Sequence, residues 1–173
     1  MPGTNSVTTE DLVLIALGSN QGDSPCLVLE AMNRLAQWSD APLLRSSLWE
    51  TAPVDCPPGS PRFVNAMVGL TPRAGETPQP LLAQLQALEK EFGRRPKAVL
   101  NEPRPLDLDL IAFGQEKRNS PRLVLPHPRA KLRRFVLAPL REIAPEFCFP
   151  GEAKTVEDLL AGLPVEDGMR RLS

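Results

Sequence analysis

Asp107 and Asp109 stand at alternate positions of Leu106-Asp107-Leu108-Asp109-Leu110, a spacing that a β-strand turns into two carboxylates on one face. At a strand rise of about 3.3 Å per residue they lie about 6–7 Å apart. Leu106, Leu108 and Leu110 fill the opposite face. Aspartate is a poor strand former and like charges on one face repel, so something else must stabilise the arrangement. A divalent cation suits the pair, because Mg²⁺ is usually held by one or two carboxylates together with substrate phosphates. The alternative is a half-exposed strand with a solvated polar face, since the same alternation is a common core pattern.

Basic residues bracket these carboxylates: Arg94, Arg95, Lys97 and Arg104 before them, Arg122, Arg129, Lys131, Arg133 and Arg134 after. Singly, such residues are usually just solvated. Gathered at one end of a sheet they would neutralise a polyphosphate while the aspartates hold its magnesium. His127 lies between Pro126 and Pro128, rigidly placed to bond a phosphate, although a lone histidine is more often structural. Neither a P-loop nor a Gly-x-Gly-x-x-Gly fingerprint occurs.

The elements that must carry these groups follow from the apolar pattern. Leu12 to Leu17 reads as a buried strand ending at Gly18-Ser19-Asn20. Ser24 as N-cap and Pro25 at the first helical position open a helix to about Trp38, with Val28, Ala31, Met32 and Leu35 as its apolar stripe. Leu43 to Glu50 is a strand. Thr51 to Arg62 holds Pro53, Pro57, Pro58 and Pro61 and must be a long irregular loop, a kind that is usually functional or disordered.

Phe63 to Leu70 resumes strand alternation, with Val64, Ala66, Val68 and Leu70 on one face and Phe63, Asn65 and Met67 on the other. A second helix opens at Thr77-Pro78, carries Leu81, Leu82, Leu85 and Leu88, and stops at Gly93. The aspartate strand runs to Phe113. The order βαββαβ is the ferredoxin-like split unit, an α+β fold with an antiparallel sheet and helices packed on one face. Extra C-terminal pieces follow: an extended stretch at Leu123 to Leu125, a helix over Lys131 to Leu140, a strand stub at Phe147 to Phe149, and a small helix capped by Thr155 with Asp158.

The sheet's second face is left for a ligand. Phe63, Asn65, Asp107 and Asp109 on it make a sensible floor for a flat polar heterocycle, the alternative being that Phe63 patches a cluster under the proline-rich loop. The 173 residues suit one domain over 12–173 after a loose leader at 1–11. A net charge of −1 argues against nucleic acid and anionic membrane as partners, and no apolar run is long enough to span a bilayer. Cys26, Cys56 and Cys148 are odd in number and scattered, which fits neither a disulfide framework nor zinc, and the only histidine is His127. A cytoplasmic location is expected.

Leu17-Gly18-Ser19-Asn20, Phe63-Val64-Asn65-Ala66 and Pro103-Arg104-Pro105-Leu106-Asp107-Leu108-Asp109-Leu110 together resemble the 6-hydroxymethyl-7,8-dihydropterin pyrophosphokinases of folate biosynthesis. Pro126-His127-Pro128, Phe135 and Pro139-Leu140-Arg141-Glu142-Ile143-Ala144-Pro145 extend the likeness from about Leu12 to Pro150. The resemblance implies pyrophosphate transfer from ATP to the pterin hydroxymethyl group, with a pair of Mg²⁺ ions on Asp107 and Asp109. It implies catalytic roles for Arg94 and Arg104 beside the aspartates. Gln86, Glu89, Lys97, Arg122, His127 and Arg133 would serve ATP. Thr51, Val54, Phe63, Asn65 and Phe135 would hold the pterin. Partners would be these small molecules, with a monomer as the working expectation.

The chain departs from the family pattern at Asn101-Glu102, where Trp-Gly is common, at Pro128, where an aromatic often follows the histidine, and at Pro96 in the basic connector. Those departures leave a non-catalytic nucleotide- or pterin-binding module on the same fold as the alternative.

Overall fold

A computed structural model describes residues 9–53, 56–96, 98–99, 102–165 and 168–172. Its central sheet runs β5 (Asp107–Phe113), β1 (Val13–Ser19), β4 (Phe63–Leu70), β3 (Leu48–Thr51), β8 (Arg170–Leu172), with every neighbour antiparallel. β2 (Leu44–Arg45) pairs the other end of β4, and β6 (Arg118–Asn119) with β7 (Val124–Leu125) forms a separate hairpin. The helices are α1 (Ser24–Ala36), α2 (Pro78–Glu91), α3 (Arg134–Ile143) and α4 (Val156–Ala161). The first six major elements in chain order, with β2 and β3 as one interrupted strand, give the expected βαββαβ core.

The apolar stripes explain the layering. Val28, Ala31, Met32 and Leu35 of α1 and Leu81, Leu85 and Leu88 of α2 pack on the face that carries Val64, Ala66, Val68, Leu108 and Leu110. The opposite face is not left wholly open. Val136, Leu137 and Leu140 of α3 and Leu160 of α4 bury Leu14, Met67 and Ile111 there, and Glu142 of α3 accepts the Ser47 N–H at 2.7 Å and the Trp49 indole N–H at 2.8 Å. Ligand space is therefore confined to the uncovered half, around Phe63, Asn65 and the two aspartates.

Several local expectations shift. Asp23, not Ser24, caps α1, accepting the Cys26 N–H at 3.3 Å, because the Ser24 hydroxyl is engaged with Ser19 at 2.9 Å. The strand expected over 43–50 breaks at Ser46-Ser47, where the Ser46 hydroxyl accepts the Met67 N–H at 2.8 Å and displaces a ladder bond. A 3₁₀ turn at Ala130–Leu132 takes the residues expected to start α3, which runs on to Ile143. Phe147 and Phe149 form no strand; they are buried edge-to-face, their ring centroids 5.3 Å apart. Thr155 caps α4 through the Asp158 N–H at 3.2 Å, as its sequence pattern requires. Of the expected leader, Thr9–Asp11 form a 3₁₀ turn and residues 1–8 lie outside the described residues. Among the described residues no helix is long and apolar enough to cross a membrane.

Candidate active site

A cavity of about 180 Å³ opens on the uncovered half of the sheet. Its floor comes from Ala16 and Gly18 of β1, Phe63 and Asn65 of β4, and Asp107 and Asp109 of β5. Thr51, Ala52 and Cys56 form the wall on the proline-rich side, and His127, Arg129, Arg133 and Phe135 the wall before α3. A second cleft of about 550 Å³ is lined by Gln21, Phe92 and Gly93, the basic Arg94, Arg95 and Arg104, and Glu102. Arg104 lines both, so the two spaces meet at its side chain.

Strand alternation puts both aspartates toward the cavity while Leu108 between them faces the α1–α2 core. Arg94 Nη1 lies 2.6 Å from Asp107 Oδ1, and Arg104 Nη1 lies 3.7 Å from Oδ2. The same Arg94 nitrogen is paired with the Glu89 carboxylate. Burial works against the Arg94 charge, but Asp107 and Glu89 together raise its pKa further. Asp109 has no such close partner among these. Burial first, then the charges of Asp107 and Glu89, push its carboxyl up to about 7, with Arg133 and Arg94 offsetting only part. Two oxygen-donor groups held together against their own repulsion are the donor set a hard dication takes. Asp107 and Asp109 therefore fit magnesium.

His127 is fixed at both ends of its residue. Its backbone N–H donates to Ile111 O at 2.8 Å, and its Nδ1 accepts the Arg129 N–H at 3.2 Å. Burial, then Arg133 and Arg129, lower its pKa, so the ring is neutral near pH 7 with the proton on Nε2. Asn65 donates through Nδ2 to the Thr51 hydroxyl at 2.6 Å, which leaves its carbonyl oxygen beside Gly18. The guanidinium of Arg104 sits 5.7 Å from the centre of the Phe63 ring, and that of Arg133 sits 5.3 Å from the Phe135 ring. Each aromatic face thus adjoins a cation that also serves the polar part of the cavity.

The expected residues divide in three. Thr51, Phe63, Asn65, Arg104, Asp107, Asp109, His127, Arg133 and Phe135 come together in the first cavity, and Arg94 joins Arg104 in the second. Gln86 and Arg122 are exposed and line neither. Glu89 is 8% exposed and also lines neither; its Oε2 accepts the Leu108 N–H at 2.9 Å, so it acts on the site through Arg94 and the β5 backbone. Burial raises its pKa, against the Leu108 bond and Arg94. Lys97 and Val54 lie outside the described residues.

Asn20 is a residue the sequence reading left out of the site. Only 2% exposed, it exchanges backbone and side-chain bonds with Arg104 (Asn20 N–H to Arg104 O, 3.1 Å; Arg104 N–H to Asn20 Oδ1, 2.9 Å) and donates to Pro61 O at 3.4 Å. It thereby ties the Arg104 connector to the proline-rich loop. An amide directly after a buried strand, in Leu-Gly-Ser-Asn, was the available signal.

Residues 14–145 match the family model of 7,8-dihydro-6-hydroxymethylpterin-pyrophosphokinase (HPPK). The 2-amino-4-hydroxy-6-hydroxymethyldihydropteridine pyrophosphokinase of Pseudomonas aeruginosa is 36% identical over 161 residues, covering 92% of this chain and 96% of the relative. The Bacillus subtilis protein of the same name is 37% identical over 134 residues, 77% and 78% of the two chains. The folate synthesis bifunctional protein of Arabidopsis thaliana is 40% identical over 137 residues, but this chain spans only 28% of its length. In shape, the chain resembles the crystal structure of Plasmodium falciparum HPPK-DHPS with pterin and p-hydroxybenzoate, at a TM-score of 0.68 and 13% identity over 92% of this chain and 46% of that one. That likeness bears on the fold alone. Most of the chain fits the family model and nearly all of it aligns with the Pseudomonas aeruginosa relative, so it belongs to the 7,8-dihydro-6-hydroxymethylpterin-pyrophosphokinase family.

Proposed function

We propose that this chain transfers pyrophosphate from ATP to the hydroxymethyl oxygen of 6-hydroxymethyl-7,8-dihydropterin, releasing AMP, in the cytoplasmic synthesis of folate. The observation that carries the reading is the junction of two unlike spaces at Arg104, beside the aspartate pair of the first. One space offers aromatic faces and an amide, and the other a cluster of guanidinium groups.

In the reaction the pterin hydroxyl oxygen forms a bond to the β-phosphorus of ATP. The bond from that phosphorus to the α–β bridging oxygen breaks, AMP departs with the bridging oxygen, and the hydroxyl proton is released. Such transfers need alignment and charge neutralisation more than covalent help from the protein. Phe63 and Phe135 hold the flat ring from its two faces, and the Asn65 carbonyl accepts from its N–H edge. Thr51 fixes the Asn65 amide and borders the pterin, and Val54 is assigned to the pterin on the family pattern.

Arg94, Arg104 and Arg133 bind phosphate oxygens, and the His127 Nε2–H donates to another without adding charge. Gln86, Lys97 and Arg122 are assigned to the nucleotide on the family pattern, and Glu89 serves it by holding Arg94. Asp107 and Asp109 would hold magnesium, in two ions. Bound there, magnesium would neutralise triphosphate charge and act as a Lewis acid.

The test is an assay for AMP with ATP, Mg²⁺ and the reduced pterin alcohol. AMP should appear only when all three are present. ATP binding in calorimetry without pterin-dependent AMP would mean a non-catalytic binding module instead.

A further inference from the structure

Arg62 is the last residue of the proline-rich loop, and its guanidinium joins three segments. Its Nε donates to Glu50 Oε1 on β3 at 2.7 Å, and Nη2 donates to the carbonyl of Gly168, at the turn into β8. Arg170 of β8 braces the other Glu50 oxygen at 3.4 Å. Gly168 has a φ of +82°, and a Cβ there would meet Arg62 Nη1 at 3.5 Å. That contact distance leaves room for a side chain, so it is the positive φ of the turn carrying the bonded carbonyl that calls for glycine.

This clasp sits at the foot of the cavity wall. Thr51 and Phe63 pair across β3 and β4, so the loop leaves and re-enters the sheet at adjacent residues that both line the cavity. Ala52 and Cys56 of the loop line it as well. The loop's four prolines bring no N–H to anchor it, which throws the task onto side chains at its feet. Arg62 and Glu50 are partly exposed, with side chains 43% and 27% accessible, so the pair adds little to global stability. Its effect is on where the wall stands.

We propose that Arg62 is a positioning residue for the pterin, holding the proline-rich wall against β3 and β8 through Glu50 and the Gly168 carbonyl. The segment 168–172 thereby becomes part of the pterin site although none of its residues lines the cavity. The inference rests on the assignment of this cavity to the pterin.

Calorimetry with 6-hydroxymethyl-7,8-dihydropterin in the presence of Mg²⁺ and a non-hydrolysable ATP analogue tests it, alongside KM values for each substrate. Arg62→Ala should raise the pterin Kd and KM about tenfold, the scale of one lost charged hydrogen bond, and leave the Kd of the analogue alone. Arg62→Lys should recover part of the loss, because an ammonium can reach one of the two partners. Gly168→Ala should reproduce the pterin-specific loss from the other side of the clasp. Native pterin affinity in Arg62→Ala, or an equal loss of nucleotide affinity, overturns the proposal. If Arg62→Ala does not fold, native pterin affinity in both Arg62→Lys and Gly168→Ala overturns it equally. A native chain that binds the pterin but releases no AMP refutes the activity and leaves the role of Arg62 standing.

Discussion

Gly18 and Asn65 face each other across the β1–β4 ladder, and Asn65 Oδ1 lies 3.0 Å from where a Cβ at position 18 would stand. The glycine of Leu-Gly-Ser-Asn is therefore a recess for the Asn65 amide, the group proposed to read the pterin edge. Thr51 holds the other end of that amide at 2.6 Å, so Asn65 has little room to retreat.

Gly18→Ala should consequently weaken pterin binding about tenfold or more, the order expected when one buried hydrogen bond is lost or misdirected. The overpacking itself costs about 1–3 kcal/mol of stability. Titration with the pterin alcohol and a denaturant curve measure the two effects separately. Native pterin affinity in this variant would mean the amide does not read the ring.

As a proposed magnesium ligand, Asp109 should make metal binding depend on pH. Its carboxyl is pushed up to about 7, from an ordinary value of 3.8, by burial and then by Asp107 and Glu89. A metal must displace that proton below pH 7, so Mg²⁺ affinity should climb as pH rises from 5 to about 7 and level off above. The sign for stability is opposite. The folded state binds the proton more tightly than the unfolded chain, so metal-free protein loses stability as pH rises from about 4 through about 7. Asp109→Asn should remove both slopes and abolish turnover. Calorimetric Mg²⁺ titrations at several pH values, and melting in chelator at pH 5 and pH 8, check the pair of trends.

Glu89 is a buried carboxylate with two obligations, the Leu108 N–H and the Arg94 guanidinium. Glu89→Leu leaves the Leu108 N–H without its acceptor and Arg94 with Asp107 alone, which should cost about 1–3 kcal/mol. Glu89→Gln keeps an acceptor for Leu108 and should recover much of the stability, while ATP affinity stays reduced because Arg94 is less firmly held. Equal nucleotide affinity in Glu89→Gln and the native chain would reduce Glu89 to a purely structural group.

The core of the fold is legible in the sequence because it depends on short-range rules. Alternation at Phe63–Leu70 and Asp107–Phe113 assigns each side chain to a face without knowledge of partners, and helical spacing does the same for α1 and α2. What escaped depends on long-range pairing. β8 is three residues rich in arginine, with no strand signature, and exists because the β3 edge accepts it. Phe147 and Phe149 look like strand residues, yet their burial under α3 and α4 needs no ladder. Asn20 and Glu89 gained their roles from neighbours 84 and 19 positions away, which no local pattern encodes.

His127 should behave as a neutral donor near pH 7. Burial first, then the nearby charges of Arg133 and Arg129, lower its pKa below 6.5, and the Arg129 N–H on Nδ1 keeps the proton on Nε2. A histidine that bound phosphate as a cation would lose ATP affinity as pH rises through 6.5; this one should show no such step. Nitrogen NMR of the single imidazole should report the Nε2–H form at pH 7. His127→Gln, whose amide can offer an N–H at a similar reach, should keep more activity than His127→Ala, and the alanine should lose about tenfold to a hundredfold in kcat/KM. An imidazole that titrates above 6.5, together with equal loss in the two variants, would show that its charge rather than its hydrogen bond serves the triphosphate.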